Sequence, residues 1–252
     1  MALPDLERKC RGLAADGAFH GQSLSVVAIQ PLWQFCLNLM GHADGDPKLL
    51  EGELLKKALE EAKMGSSYPR LLKWRQFFSM KLAYLFDDLD LAETHSGKAC
   101  EIYENDPVHM AGAMALTYEC LVILDRVRQR KRPARDVWKA RRLLRMLKSW
   151  SATCPDNLLD KQCLLEAELA WTVGNRAKAH ARFRLAIVQS RDQGFWLEEA
   201  LANEQLGKLY MEENDNQYAI PCIREAQRLF DRWGAKAKAC HMEKMYRELL
   251  EA

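Results

Sequence analysis

Proline and glycine are scarce in this chain of 252 residues, at 8 and 13. Few backbone punctuators favour helices joined by short turns over a strand-rich fold. None of the eight cysteines, at 10, 36, 100, 120, 154, 163, 222 and 240, forms a C-x-x-C pair. That excludes the common zinc and redox spacings, and the scatter reads as reduced core thiols of a cytoplasmic protein. The N-terminus has no basic start followed by an apolar core, so it does not read as a secretory signal. Residues 17–43 lack Asp, Glu, Lys and Arg, yet Gln22, Ser23, Ser25, Gln30, Gln34 and Asn38 interrupt them. Such polar groups are costly in hydrocarbon, so this stretch reads as a buried helix and the chain as lacking a membrane span.

Catalytic signatures are also missing. Ser96-Gly97-Lys98-Ala99 has a Gly-Lys pair without the preceding glycine of a phosphate loop, and it falls inside an expected helix. The histidines at 20, 42, 95, 109, 180 and 241 show no ligand spacing. Glu166/Glu168 and Glu198/Glu199 stand at helical separations that point side chains apart. No Ser or Cys sits in a nucleophile elbow. No catalytic residue, cofactor site or metal ligand is assigned, and the chain reads as a non-enzyme. The net charge of +2 does not announce a nucleic acid or a membrane partner.

What is present is repetition. At an offset of 40, Asn175-Arg176-Ala177-Lys178-Ala179 falls on Asp215-Asn216-Gln217-Tyr218-Ala219. Phe183 then falls on Ile223, Ala186 on Ala226, Gly194 on Gly234 and Ala200 on Cys240. A repeat of this length marks stacked helical hairpins, each too small to bury its apolar face alone. Alanines seven apart lie on one side of a helix and let a neighbour approach closely. The periodicity predicts an all-α, right-handed solenoid of antiparallel hairpins with about eleven helices, and 48% hydrophobic residues suffice for its core. One domain spans 1–252, with an N-terminal extension at 1–21, degenerate hairpins at 22–156, the clearest repeats at 157–234 and a capping helix at 235–252.

Leu206-Gly207, Tyr210, Ala219, Ile223 and Ala226 resemble the tetratricopeptide motif, although Asn203 replaces its first Trp and Asp231 its closing Pro. A broader resemblance rests on Gly194-Phe195, Glu198 to Glu204 and Trp233 to Lys238, with Asn157, Lys161, Leu164 to Glu168, Leu37 to Gly41 and Gly52-Glu53. These residues are similar to the helical-repeat region of large signalling ATPases, the multi-sensor hybrid kinases. In that family the repeats follow a kinase-like domain and an AAA-type ATPase and precede a GAF sensor, often with a histidine kinase. The resemblance implies a signal-transduction coupling segment whose partner includes the remainder of a larger protein. Arg247 after Tyr246 departs from the usual Pro, so the last helix is expected to run on.

The strongest chemical feature is basic. Residues 126–148 carry eleven Lys/Arg and one acid, Asp136. Arg126, Arg128, Arg130, Lys131, Arg132, Arg135, Arg142 and Arg145 are candidates for docking an acidic protein or phosphate groups. Nucleic acid is the weaker version, because no aromatic interleaves within the expected loop for base stacking. Glu199 and Asn203 are candidates on the predicted groove. The composite reading is a protein-binding scaffold. Alternatives are a nucleotide-linked regulator or enzyme with a site between hairpins, and an RNA-binding repeat using 126–148.

Overall fold

The computed structural model describes residues 1–19, 23–63, 65, 68–99, 110–130 and 132–251, with side chains of 16–19, 23–28 and 134 outside that description. Among the described residues the chain is all-α, with no strand. The helices are α1 (Leu3–Phe19), α2 (Ser23–Met40), α3 (Glu53–Ala62), α4 (Tyr68–Leu85), α5 (Leu89–Ala99), α6 (Met110–Arg128) and α7 (Val137–Thr153). They continue with α8 (Pro155–Thr172), α9 (Arg176–Asp192), α10 (Trp196–Glu212), α11 (Asn216–Trp233), α12 (Lys236–Met245) and α13 (Arg247–Glu251). No helix among the described residues is long and apolar enough to cross a membrane.

Two layers follow from the burial pattern. In α4 every residue from Phe77 to Leu85 is buried, and α6, α8 and α10 are similarly enclosed. By contrast, α7 buries only Ala140, Leu143, Leu144, Leu147 and Ser151. A helix covered all round lies inside, and one with a single apolar stripe lies outside. α4, α6, α8 and α10 therefore form an inner row, with α2 and α12 at its two ends, and the odd-numbered helices from α3 to α11 lie outside it.

The turns expose a repeat that covers most of the chain. Gly41, Asp87, Arg130, Gly174 and Asn214 follow α2, α4, α6, α8 and α10, and all five have positive φ. After four of them the next amide reaches back five residues: His42 to Leu37, Asp88 to Ala83, Asn175 to Ala170 and Asp215 to Tyr210. This is the helix stop in which a left-handed residue lets the chain satisfy the last carbonyls. Gly194 and Gly234 end α9 and α11 in the same way. The alanine pattern also holds, since Ala179, Ala186, Ala219 and Ala226 are at most 1% exposed, with Phe183 and Ile223 sealed between them.

The row of hairpins curls until its ends meet. α12 packs on α2. Trp233 Nε1 donates to the carbonyl of Met1 at 3.2 Å. A Cβ added to Gly234 would fall 2.7 Å from Pro4 Cδ, so the α11–α12 turn lies directly on the start of α1. The exposed surface of 12410 Å² is within about a tenth of the ~11,400 Å² expected for a compact 29.0 kDa chain.

Three boundaries differ from expectation. The extension at 1–21 contains α1, whose buried face is Leu3, Cys10 and Ala14, too sparse a stripe to stand out. Lys48 to Met64 reads in the sequence as one helix, but the helix starts at Glu53, because the buried Asn38 amide donates to the carbonyls of Pro47 (3.0 Å) and Leu49 (2.6 Å) and holds a loop there. The expected run-on at Arg247 is broken at Tyr246, whose hydroxyl is drawn inward to Glu204 at 3.1 Å. Asn105-Asp106-Pro107, which reads in the sequence as the cap of the helix that follows, lies outside the described residues.

Candidate functional site

The inner helices send polar side chains to the centre of the ring, where an open groove was expected. From α4, the Tyr84 hydroxyl donates to Asp125 Oδ2 on α6 at 2.8 Å and accepts from Gln205 Nε2 on α10 at 3.0 Å. Arg128, at the end of α6, contacts Asp125, and Glu168 Oε2 on α8 at 2.6 Å, and stacks 4.0 Å over the Trp171 ring. Across the axis, Asp87 contacts Lys208 on α10 and, at 3.4 Å, Lys238 on α12. Lys238 also donates to Glu204 Oε1 at 2.9 Å, and both side chains are nearly inaccessible.

These contacts shift the proton affinities. Burial works against ionising Asp87, but the ammonium groups of Lys208 and Lys238 outweigh it and hold the carboxyl well below the usual range. For Glu168 burial dominates, and despite Arg128 its pKa is pushed up to about 7. Burial also opposes charge on Arg128, yet Asp125 and Glu168 raise its pKa. Each of these buried charges on the axis has an opposite partner, as its desolvation requires. The network is a closure device. Glu199 and Asn203, placed on the predicted groove, both have internal partners: Glu199 is bound by Arg191 at 2.8 Å, and the Asn203 amide donates to the Glu199 carbonyl.

The basic run divides in two. Arg126 lies 2.7 Å from Asp90 and 2.8 Å from Glu93, and Arg132 lies 2.6 Å from Glu93 and 3.2 Å from Asp136. With Arg128 on the axis, these three candidates are engaged in internal ion pairs. Glu93 and Glu168, remote in sequence, supply the compensation. Lys131 lies outside the described residues. Arg130, Arg135, Arg142 and Arg145 are exposed.

A face that the sequence reading missed accompanies them. Trp138 is 60% exposed, an unusual state for this residue. With Arg141, Leu144, Arg145, Lys148 and Leu169 it lines a shallow cavity of about 390 Å³ on the outside of α7. Lys148 reaches Glu166 at 2.6 Å, whereas Arg141 and Arg145 are exposed. The signal was the spacing 138, 141, 145, 148, which places one aromatic and three cations on a single helical stripe.

No cluster of His, Cys, Asp and Glu suited to a metal ion occurs among the described residues. Ser96-Gly97-Lys98 lies within α5, with Ser96 Oγ bonded to the Glu93 carbonyl. Comparison with protein families and with curated proteins gives no match.

Proposed function

We propose that the chain is a non-catalytic docking scaffold that uses the outside of α7 to bind an acidic protein segment. The observation that carries this reading is exposed Trp138 above Leu144 and Leu169 and beside Arg141 and Arg145. Tryptophan and arginine are the side chains that most often anchor protein interfaces, one by buried area and the other by directed hydrogen bonds. The closed inner ring supports it by making α7 a rigid platform. The resemblance to signalling ATPase repeats supports a coupling role within a larger assembly.

Affinity capture from source cells tests it, with wild-type protein and the Trp138→Ala/Arg145→Glu variant compared, each with and without ribonuclease. Proteins retained by wild type after ribonuclease but lost from the variant support the reading. Proteins lost on ribonuclease treatment favour an RNA partner, for which Trp138 offers a stacking surface among cations. Capture unaffected by the variant rules out this face.

A further inference from the structure

A cavity of about 350 Å³ opens at the end of the ring where the inner helices begin. Phe35, Trp74, Phe78, Phe195, Trp196 and Trp233 give its wall an aromatic character. The volume falls within the range of pockets that enclose small organic ligands. Met1 and Leu6 line it too, so the two ends of the stack share it.

Lys81 is the exceptional lining residue. It is 3% exposed, and its Nζ lies 5.3 Å from the Phe35 ring centre and 5.1 Å from that of Tyr118. No described residue gives it a hydrogen bond or an ion pair, whereas the buried ammonium groups of Lys161, Lys208 and Lys238 each contact carboxylates. An ammonium carries three donors, and ring faces satisfy none of them fully. Burial lowers its pKa to about 8. The groups that face it are Glu198 on α10, Lys161 with Asp160 on α8, Tyr118 on α6, and Cys36 on α2 with Cys10 behind it. Glu198 is shared with Lys161, 3.7 Å away. A second feature favours an anion: α10 begins in this wall at Phe195, a residue without a capping side chain, so its first amides lack that partner.

We propose that this cavity binds a small apolar monocarboxylate, its carboxylate against Lys81 Nζ and its hydrocarbon or aryl body against the aromatic wall. A cation is repelled by Lys81, and a neutral molecule can offer the ammonium an acceptor but no opposite charge. A dianion must also meet Glu198. Because the wall joins α1 and α2 to α10 and α11, the ligand ties the ends of the ring together. This site is separate from the α7 face and stands or falls independently of it.

Calorimetric titration of the full chain with octanoate, 4-phenylbutyrate and indole-3-propionate, each beside its primary amide, tests the proposal. At least one acid saturates with one-to-one stoichiometry and about tenfold or greater preference over its amide, the size of a hydrogen bond to a charged group. Saturation also raises the melting temperature. Lys81→Met removes the preference while keeping the fold, since it relieves an unpaired buried charge. In the wild type the preference fades as pH rises through about 8. Glu198→Gln retains or strengthens it, and Trp138→Ala leaves it unchanged. Failure of all three acids to saturate, equal binding of acid and amide, or a preference that survives in Lys81→Met overturns the proposal. So does a preference in the wild type that does not change with pH, even if Lys81→Met fails to fold.

Discussion

Gln205 donates a hydrogen bond of 3.0 Å to the Tyr84 hydroxyl, 121 residues earlier in the chain. In an open row of hairpins, α4 and α10 would be separated by the helices between them. Here they touch across the axis, and Lys208 repeats the connection to Asp87 with the same separation. Nearest-neighbour packing builds the row, and these contacts close it.

The buried pair Lys238–Glu204 is the severest point of that closure. Lys238→Met leaves Glu204 sealed with only Tyr246 and a distant Lys208, and is expected to cost about 3–5 kcal/mol. Replacing both residues with methionine should recover much of the loss, because no charge is then stranded. Urea unfolding of the two variants checks the order.

Two carboxylates give stability opposite pH dependences. The depressed pKa of Asp87 contributes stability that is complete above the ordinary value of 3.8 and declines as pH falls below it. Glu168, raised from 4.5 to about 7, contributes stability that is complete below 4.5 and is lost as pH rises through 7. Chemical denaturation from acid to neutral pH should therefore show Glu168→Gln flattening the slope between 4.5 and 7 while leaving the acid limb intact.

Gly207 tests the close approach of α10 and α11. A helical Gly→Ala change ordinarily stabilises by about 1 kcal/mol. Here the added Cβ falls 2.6 Å from Ile223 Cδ1. Gly207→Ala should instead destabilise by about 1–3 kcal/mol, and adding Ile223→Val should restore part of it. Melting temperatures of the single and double variants decide the sign.

On the outer face, Trp138 and Arg145 are themselves exposed, and Trp138→Ala and Arg145→Glu should change stability by less than about 0.5 kcal/mol. Their effect belongs to binding. A large loss of stability in circular-dichroism melts would show that Trp138 is structural.

The sequence made the local architecture readable and left the closure hidden. Ala179, Phe183 and Ala186 with their partners 40 residues later announce the last hairpins, because small residues at a crossing are obligatory. The same hairpin ending recurs at Gly41, Asp87, Arg130, Gly174 and Asn214, but the position accepts several residue types and so leaves no consensus. Arg126, Arg128 and Arg132 looked like surface charge because Glu93 and Glu168 come near them only in three dimensions. Lys81 was invisible for the same reason: a lysine in a greasy helix shows neither the cavity above it nor the missing acceptor.

Small-angle X-ray scattering in dilute solution tests the closed ring most directly. A compact chain of this length has a radius of gyration of about 18 Å, and the account predicts a value within about 2 Å of that. An elongated particle several ångströms larger, with α1 and α12 apart, would contradict it.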